Sequence, residues 1–147
     1  MGIAALVTWL LTAAGGFYLL ATWIAKGGVR QPRTSHFPPA VIFGHFLLAV
    51  IGLVVWIVYL VVDEDALAWT AFALLVPVAL LGFAMLIRWI PVYRGAGVGA
   101  GNGGPSVPGT APNGVPEKHF PVAAVAGHGT FAVVTVVLVL LTALGVG

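Results

Sequence analysis

HFPPAVIFGH (residues 36–45) and HFPVAAVAGH (residues 119–128) are two copies of one phrase, identical at six of ten positions, both histidines included. Each copy opens a long apolar run in which the inner histidine, His45 or His128, has no charged companion. The two inner histidines are therefore expected at matching depths inside a membrane. An ionisable residue within a span marks a candidate functional site, and two at equivalent positions point to one shared ligand.

Composition supports a membrane chain. Of 147 residues, 61% are hydrophobic and only 7% are charged, too few polar side chains to cover a soluble globule. Four apolar runs, about 3–25, 39–62, 66–90 and 121–146, each reach the roughly 20 residues that cross a hydrocarbon core. The expected fold is all-α: a single-domain bundle of four transmembrane helices. Continuous runs argue against a barrel, whose strands alternate over about ten residues. The first run lacks a basic leader and is too long for a signal h-region, so it is read as a retained helix.

Charge is distributed by end. Lys26, Arg30 and Arg33 follow the first run, and Arg94 and Lys118 lie between the third and fourth. Asp63, Glu64 and Asp65 sit between the second and third. The positive-inside rule then places both basic loops in the cytoplasm, with the termini and the acidic loop outside. The His motifs would lie toward the cytoplasmic face of a plasma membrane, prokaryotic by its Ala/Gly/Val-rich composition. These basic residues are a topology signal and make no nucleic-acid patch. With no cysteine, disulfides, thiolate metal sites and covalent haem attachment are excluded.

The repetition extends beyond the motif. Gly16, Phe17, Leu20, Trp23 and Ile24 recur as Gly82, Phe83, Leu86, Trp89 and Ile90, an offset of 66 (16 to 82), while the His motifs are offset by 83 (36 to 119). The extra 17 residues (83 minus 66) match a Gly/Pro-rich insertion, about 95–115, expected to be a flexible linker. The repeats are then about 1–62 and 66–147, two helical hairpins of like orientation about a pseudo-two-fold axis along the membrane normal. Gly16 and Gly82 are read as close-packing positions, and Trp23 and Trp89 as interfacial anchors. Pro77 has no counterpart in the first helix, where Leu11 stands.

If the second and fourth helices start near Pro38 and Pro121, His45 and His128 lie seven residues in, about 10 Å at 1.5 Å per residue. The second and fourth helices are diagonal in an up-down bundle, so their histidines can face each other across a flat ligand. Haem b held by two imidazoles suits a low-dielectric interior, since neutral imidazole ligates iron without bringing charge. His45 and His128 would ligate the iron, with Gly44 and Gly127 relieving crowding beside the macrocycle. The outer histidines, His36 and His119, stand nine residues away, on the opposite side of a continuous helix at about 3.6 residues per turn. One haem per chain follows, with His36, His119 and Arg88, and also Arg33, Arg94 or Lys118, near its propionates.

His45 and His128 in a compact four-helix chain, with further histidines near the surface, resemble the four-helix b-type membrane cytochromes of the cytochrome b561-like group. The resemblance is architectural, and that group generally carries histidine pairs for two haems on a different spacing. It implies transmembrane electron transfer, often with a quinone or a redox-protein partner. Two other readings stay open: a module in which the histidines bind or transport a metal ion, and a cofactor-free structural subunit. No nucleophile–base pair, phosphate loop or paired carboxylates occur, so any catalysis would be a haem-dependent oxidoreductase activity belonging to the cofactor. Oligomeric state leaves no signature in the chain.

Overall fold

In hydrocarbon every backbone polar group must find its partner within the chain, which restricts spanning segments to helices or closed barrels. The four apolar runs obey this as helices. A computed structural model describes residues 1–30, 35–98 and 114–146. Its elements are α1 (Gly2–Ala25), α2 (Pro39–Val62), α3 (Asp65–Val98), a short 3-10 turn (Pro116–His119) and α4 (Val122–Ala143). All four α-helices are long and apolar enough to cross a membrane. This is an all-helical, four-helix membrane bundle.

Local chemistry sets the helix ends. Pro38 and Pro121 occupy the N-cap positions of α2 and α4, so the two copies of the motif start their helices at the same place. Asp63 ends α2 in the left-handed region (φ 57°), a conformation that Asp tolerates better than most residues. Only Asp63 and Glu64 separate α2 from α3, which makes these helices antiparallel neighbours.

Two boundaries differ from the hydropathy pattern. α3 runs through both Pro77 and Pro91 to Val98, about two turns beyond the apolar run. A proline deletes one helical hydrogen bond but need not end the helix, and hydropathy records the edge of the apolar layer, where hydrogen bonding can continue. α4 ends at Ala143, short of residue 146. Of the expected linker, residues 99–113 lie outside the described residues, as does Arg33; residues 95–98 belong to α3.

The helices form a ring in chain order, packing most extensively between α1 and α4 and between α2 and α3. Within each hairpin the contact is slighter, and among the described residues the backbones of diagonal helices do not come close, so α2 and α4 meet through side chains. The two sequence repeats are thus clasped to each other more than folded on themselves. Equivalent residues share environments: Ala5 and Ala71 are buried, as are Trp23 and Trp89, and Trp56 and Val139, whereas Phe17 and Phe83 both face outward. This correspondence follows the offsets of 66 (5 to 71) and 83 (56 to 139) found in the sequence.

Two apolar clusters fill the bundle. One, at the acidic end, joins Ala5, Trp9, Trp56, Tyr59, Ala68, Ala71, Leu75 and Val139. The other, at the basic end, joins Trp23, Phe37, Ile42 and Trp89. Trp56 is fully buried in the first and its indole N–H donates to the Gly2 carbonyl (3.3 Å). Trp56→Ala should therefore lower the unfolding free energy in detergent by about 3–5 kcal/mol. The outward-facing Ile24→Ala should change it by about 0.5 kcal/mol or less. Equal losses in a denaturant titration would contradict this packing.

Candidate functional site

Between the two clusters lies a layer of a different character. α1 contributes Thr12, Gly15 and Gly16, α3 contributes Val78 and Gly82, and α2 and α4 bring His45 and His128. The two imidazoles face each other, ring centres 6.3 Å apart and planes inclined by 62°.

Each ring is held in the same way. Nδ1 of His45 lies 2.9 Å from the Val78 carbonyl on α3, and Nδ1 of His128 lies 2.8 Å from the Thr12 carbonyl on α1. Thr12 and Val78 are themselves 66 residues apart (12 to 78), so the duplication covers ligand candidate and partner alike. A carbonyl only accepts, so each Nδ1 carries the hydrogen and donates it. In a neutral ring that leaves the Nε2 lone pair unprotonated and available to a metal ion. This is the usual way a backbone carbonyl fixes the tautomer and orientation of a metal-binding histidine.

Glycine opens room for each ring. A helical side chain leans toward the N-terminus and covers the turn before its own Cα. The residue four after a carbonyl thus screens it. At Thr12 and Val78 that residue is Gly16 and Gly82, and the imidazoles occupy the uncovered ground. A Cβ on Gly16 would stand 3.0 Å from Cε1 of His128, and one on Gly82 3.4 Å from Cε1 of His45; a Cβ on Gly15 would lie 3.3 Å from Cβ of His128. Sequence reasoning assigned Gly16 and Gly82 to helix packing; what they admit is a histidine ring. Their i/i+4 relation to the carbonyls, repeated at one offset, was the signal available.

The site is not fully symmetric. Beside His128, Thr135 Oγ donates to Thr8 Oγ (3.0 Å) and Thr12 Oγ donates to the Thr8 carbonyl (2.8 Å). The equivalent positions in the other half are Gly52, Leu74 and Val78. The α1/α4 seam therefore carries hydroxyl glue, while in the α2/α3 seam the Leu74 side chain packs near Gly52.

The remaining candidates fall elsewhere. Gly44 and Gly127 adjoin their histidines, but no atom of the described residues approaches within 4 Å of where their Cβ would be. His36 and His119 lie outside the α-helices, His119 at the end of the 3-10 turn, both exposed, with His119 Nδ1 facing the Pro116 carbonyl (3.4 Å). Arg88 is exposed on the outer face of α3 and donates to the His36 carbonyl (3.3 Å). These three sit at the basic end, apart from the imidazole pair.

Trp23 and Trp89 are buried beneath the loops, a correction to their reading as interfacial anchors. Their indole N–H groups donate to Ser35 Oγ (3.1 Å) and to the Glu117 carbonyl (3.1 Å). Glu117 is fully buried; its Oε1 accepts from Ser35 Oγ and from the Phe37 N–H, and its Oε2 has no partner among the described residues. This polar knot ties the end of α1, the start of α2, α3 and the 3-10 turn together. Sequence reasoning missed it, because Glu117 stands in a basic loop and nothing local shows its carboxylate turning inward.

Comparison with known proteins finds no matching family model, no similar curated protein and no similar solved structure. Function therefore rests on the geometry.

The two glycines should respond differently to added methyl groups. Gly→Ala in a helix gains up to about 1 kcal/mol from propensity. At Gly82 the new Cβ meets His45 at ordinary contact distance, so Gly82→Ala should keep most of that gain. At Gly16 the His128 ring must give way, so Gly16→Ala should be the less stable of the two. Denaturation of both variants checks this; the opposite order would mean that the rings do not lie over these glycines.

Proposed function

We propose that this membrane protein holds one haem b between His45 and His128 and passes electrons through it. The observation that carries the reading is the opposed imidazole pair, each ring tautomer fixed by a carbonyl on the neighbouring helix. Two imidazoles on opposite sides of one metal ion, with metal–nitrogen distances of about 2.0–2.1 Å, have ring centres a little over 6 Å apart. The separation of 6.3 Å fits.

The donor set favours haem over a bare ion. Among the described residues no three His, Cys, Asp or Glu side chains come together, and zinc in a protein generally takes four ligands. A haem would ask the chain for only two ligands, which His45 and His128 would provide, and held by both it would supply outer-sphere electron transfer in place of oxygen binding.

The chain's own residues have defined tasks in this scheme. His45 and His128 ligate through Nε2, and the Val78 and Thr12 carbonyls hold the rings and raise their basicity. Gly15, Gly16 and Gly82 keep the walls of α1 and α3 low, and the two tryptophan-rich clusters exclude water from both sides. His36, His119 and Arg88, exposed at the basic end, are not needed for ligation. The positive-inside rule would put that end in the cytoplasm. A lipid-soluble quinone or a redox protein would be the electron partner.

A single ion held linearly by two imidazoles, such as copper(I), is the competing reading, because 6.3 Å also suits that arrangement. The purified protein distinguishes them. Dithionite reduction should produce a sharp α-band with about one haem b per chain, one iron for the two axial imidazoles. His45→Ala and His128→Ala should each abolish the low-spin spectrum, while His36→Ala and His119→Ala retain it. A colourless protein that takes up no added haem but binds stoichiometric copper would replace haem with the ion.

A further inference from the structure

In the sequence the basic end carries all of the chain's Lys and Arg and a single acid, Glu117. The sequence holds six Lys and Arg and four Asp and Glu. Asp63, Glu64 and Asp65 lie at the opposite end of the bundle, and the fourth acid, Glu117, has its carboxylate fully buried against Ser35 and Phe37. Lys26, Arg30, Arg88, Arg94 and Lys118 belong to the other end, and residues 31–34 and 99–113 contain no acid. The excess of positive charge at this end suits an anionic partner.

Part of this charge lines a cavity of about 730 Å³ that opens on the bundle's outer surface. Arg88, Lys118 and His36 supply its polar rim, and Ile87, Pro91 and Val92 its apolar wall. The Arg88 guanidinium is anchored by its bond to the His36 carbonyl (3.3 Å), which steadies it while leaving other N–H donors free in number. No carboxylate lines the cavity. An apolar stripe leads into it along α3: Leu80, Phe83 and Ile87 are 65%, 54% and 66% exposed, spaced by three and four residues on one helix face.

From this we infer that the groove is a specific site for one anionic glycerophospholipid. The phosphodiester sits between Arg88 and Lys118, and an acyl chain lies along Ile87, Phe83 and Leu80. Charge complementarity selects the occupant: a basic pocket at the membrane boundary is suited to an anionic headgroup, and Arg offers a planar fork for phosphate oxygens. The continuous stripe selects a lipid over free phosphate. The site is independent of the imidazole pair.

Native mass spectrometry of the full chain, released from nanodiscs of equal phosphatidylglycerol and phosphatidylcholine, tests this. The wild-type chain should retain one phosphatidylglycerol with a preference of at least about tenfold. Arg88→Gln/Lys118→Gln should bring the preference close to parity, and the single variants should fall between. Lys26→Gln, a charge at the same end but outside the groove, should keep it. Three results would overturn the site: no headgroup preference in wild type, a preference that survives the double variant, or an equal loss in Lys26→Gln. Displacement of the retained lipid by millimolar inorganic phosphate would also overturn it, since the stripe would then play no part. Because Arg88 and Lys118 are exposed, the single variants remain informative if the double variant fails to fold.

Discussion

The hydrogen bond from each imidazole Nδ1–H to a carbonyl on the adjacent helix governs the middle of this bundle. A polar ring in a low-dielectric interior is costly unless its donor is matched, and the acceptors these rings find are helix carbonyls. Those carbonyls have a second lone pair, but it is reachable only where no side chain covers it. Glycine one turn later provides that opening at Thr12/Gly16, where a Cβ would crowd the ring, and leaves room to spare at Val78/Gly82, where a Cβ would only touch it. The close pairing of α1 with α4 and of α2 with α3 brings each histidine to its carbonyl.

The same bond sets what the site can do. With Nδ1 occupied, each ring has a single free nitrogen, and the bundle turns the two rings toward each other at a distance that one metal centre can bridge. Apolar clusters lie on either side of the pair, surroundings that would suit the neutral ligands of the haem proposed above. The division of the chain into an apolar end around Trp9 and Trp56, a histidine layer and a basic end around Trp23, Trp89 and Glu117 is a division of labour along the bundle axis.

The ends of the bundle are built on opposite terms. At the acidic end a two-residue turn joins α2 to α3 with little polar structure. At the basic end, two indoles, Ser35 and a buried glutamate bind the loops to the helices. Lys26, Arg30, Arg88, Arg94 and Lys118 around them stay exposed. Arg88 illustrates the difference between position in sequence and in space. It is six residues from Gly82, yet at 3.6 residues per turn it points about a third of a turn away from the imidazoles.

By itself the sequence determined the number of spans, the helix starts at Pro38 and Pro121, the repeat and its offsets, and the two histidines at equal depth. These are properties of composition and local spacing, set by hydrocarbon thickness, proline geometry and the period of the helix. Only the tertiary structure decided which helices clasp, which carbonyls receive the rings, why Gly16 and Gly82 are glycine, and that Glu117 is buried while Arg88 is not. Those outcomes depend on contacts between segments far apart in the chain, such as Thr12 with His128 and Ser35 with Glu117, and a hydropathy pattern carries no information about which partner a polar group will find once the helices pack.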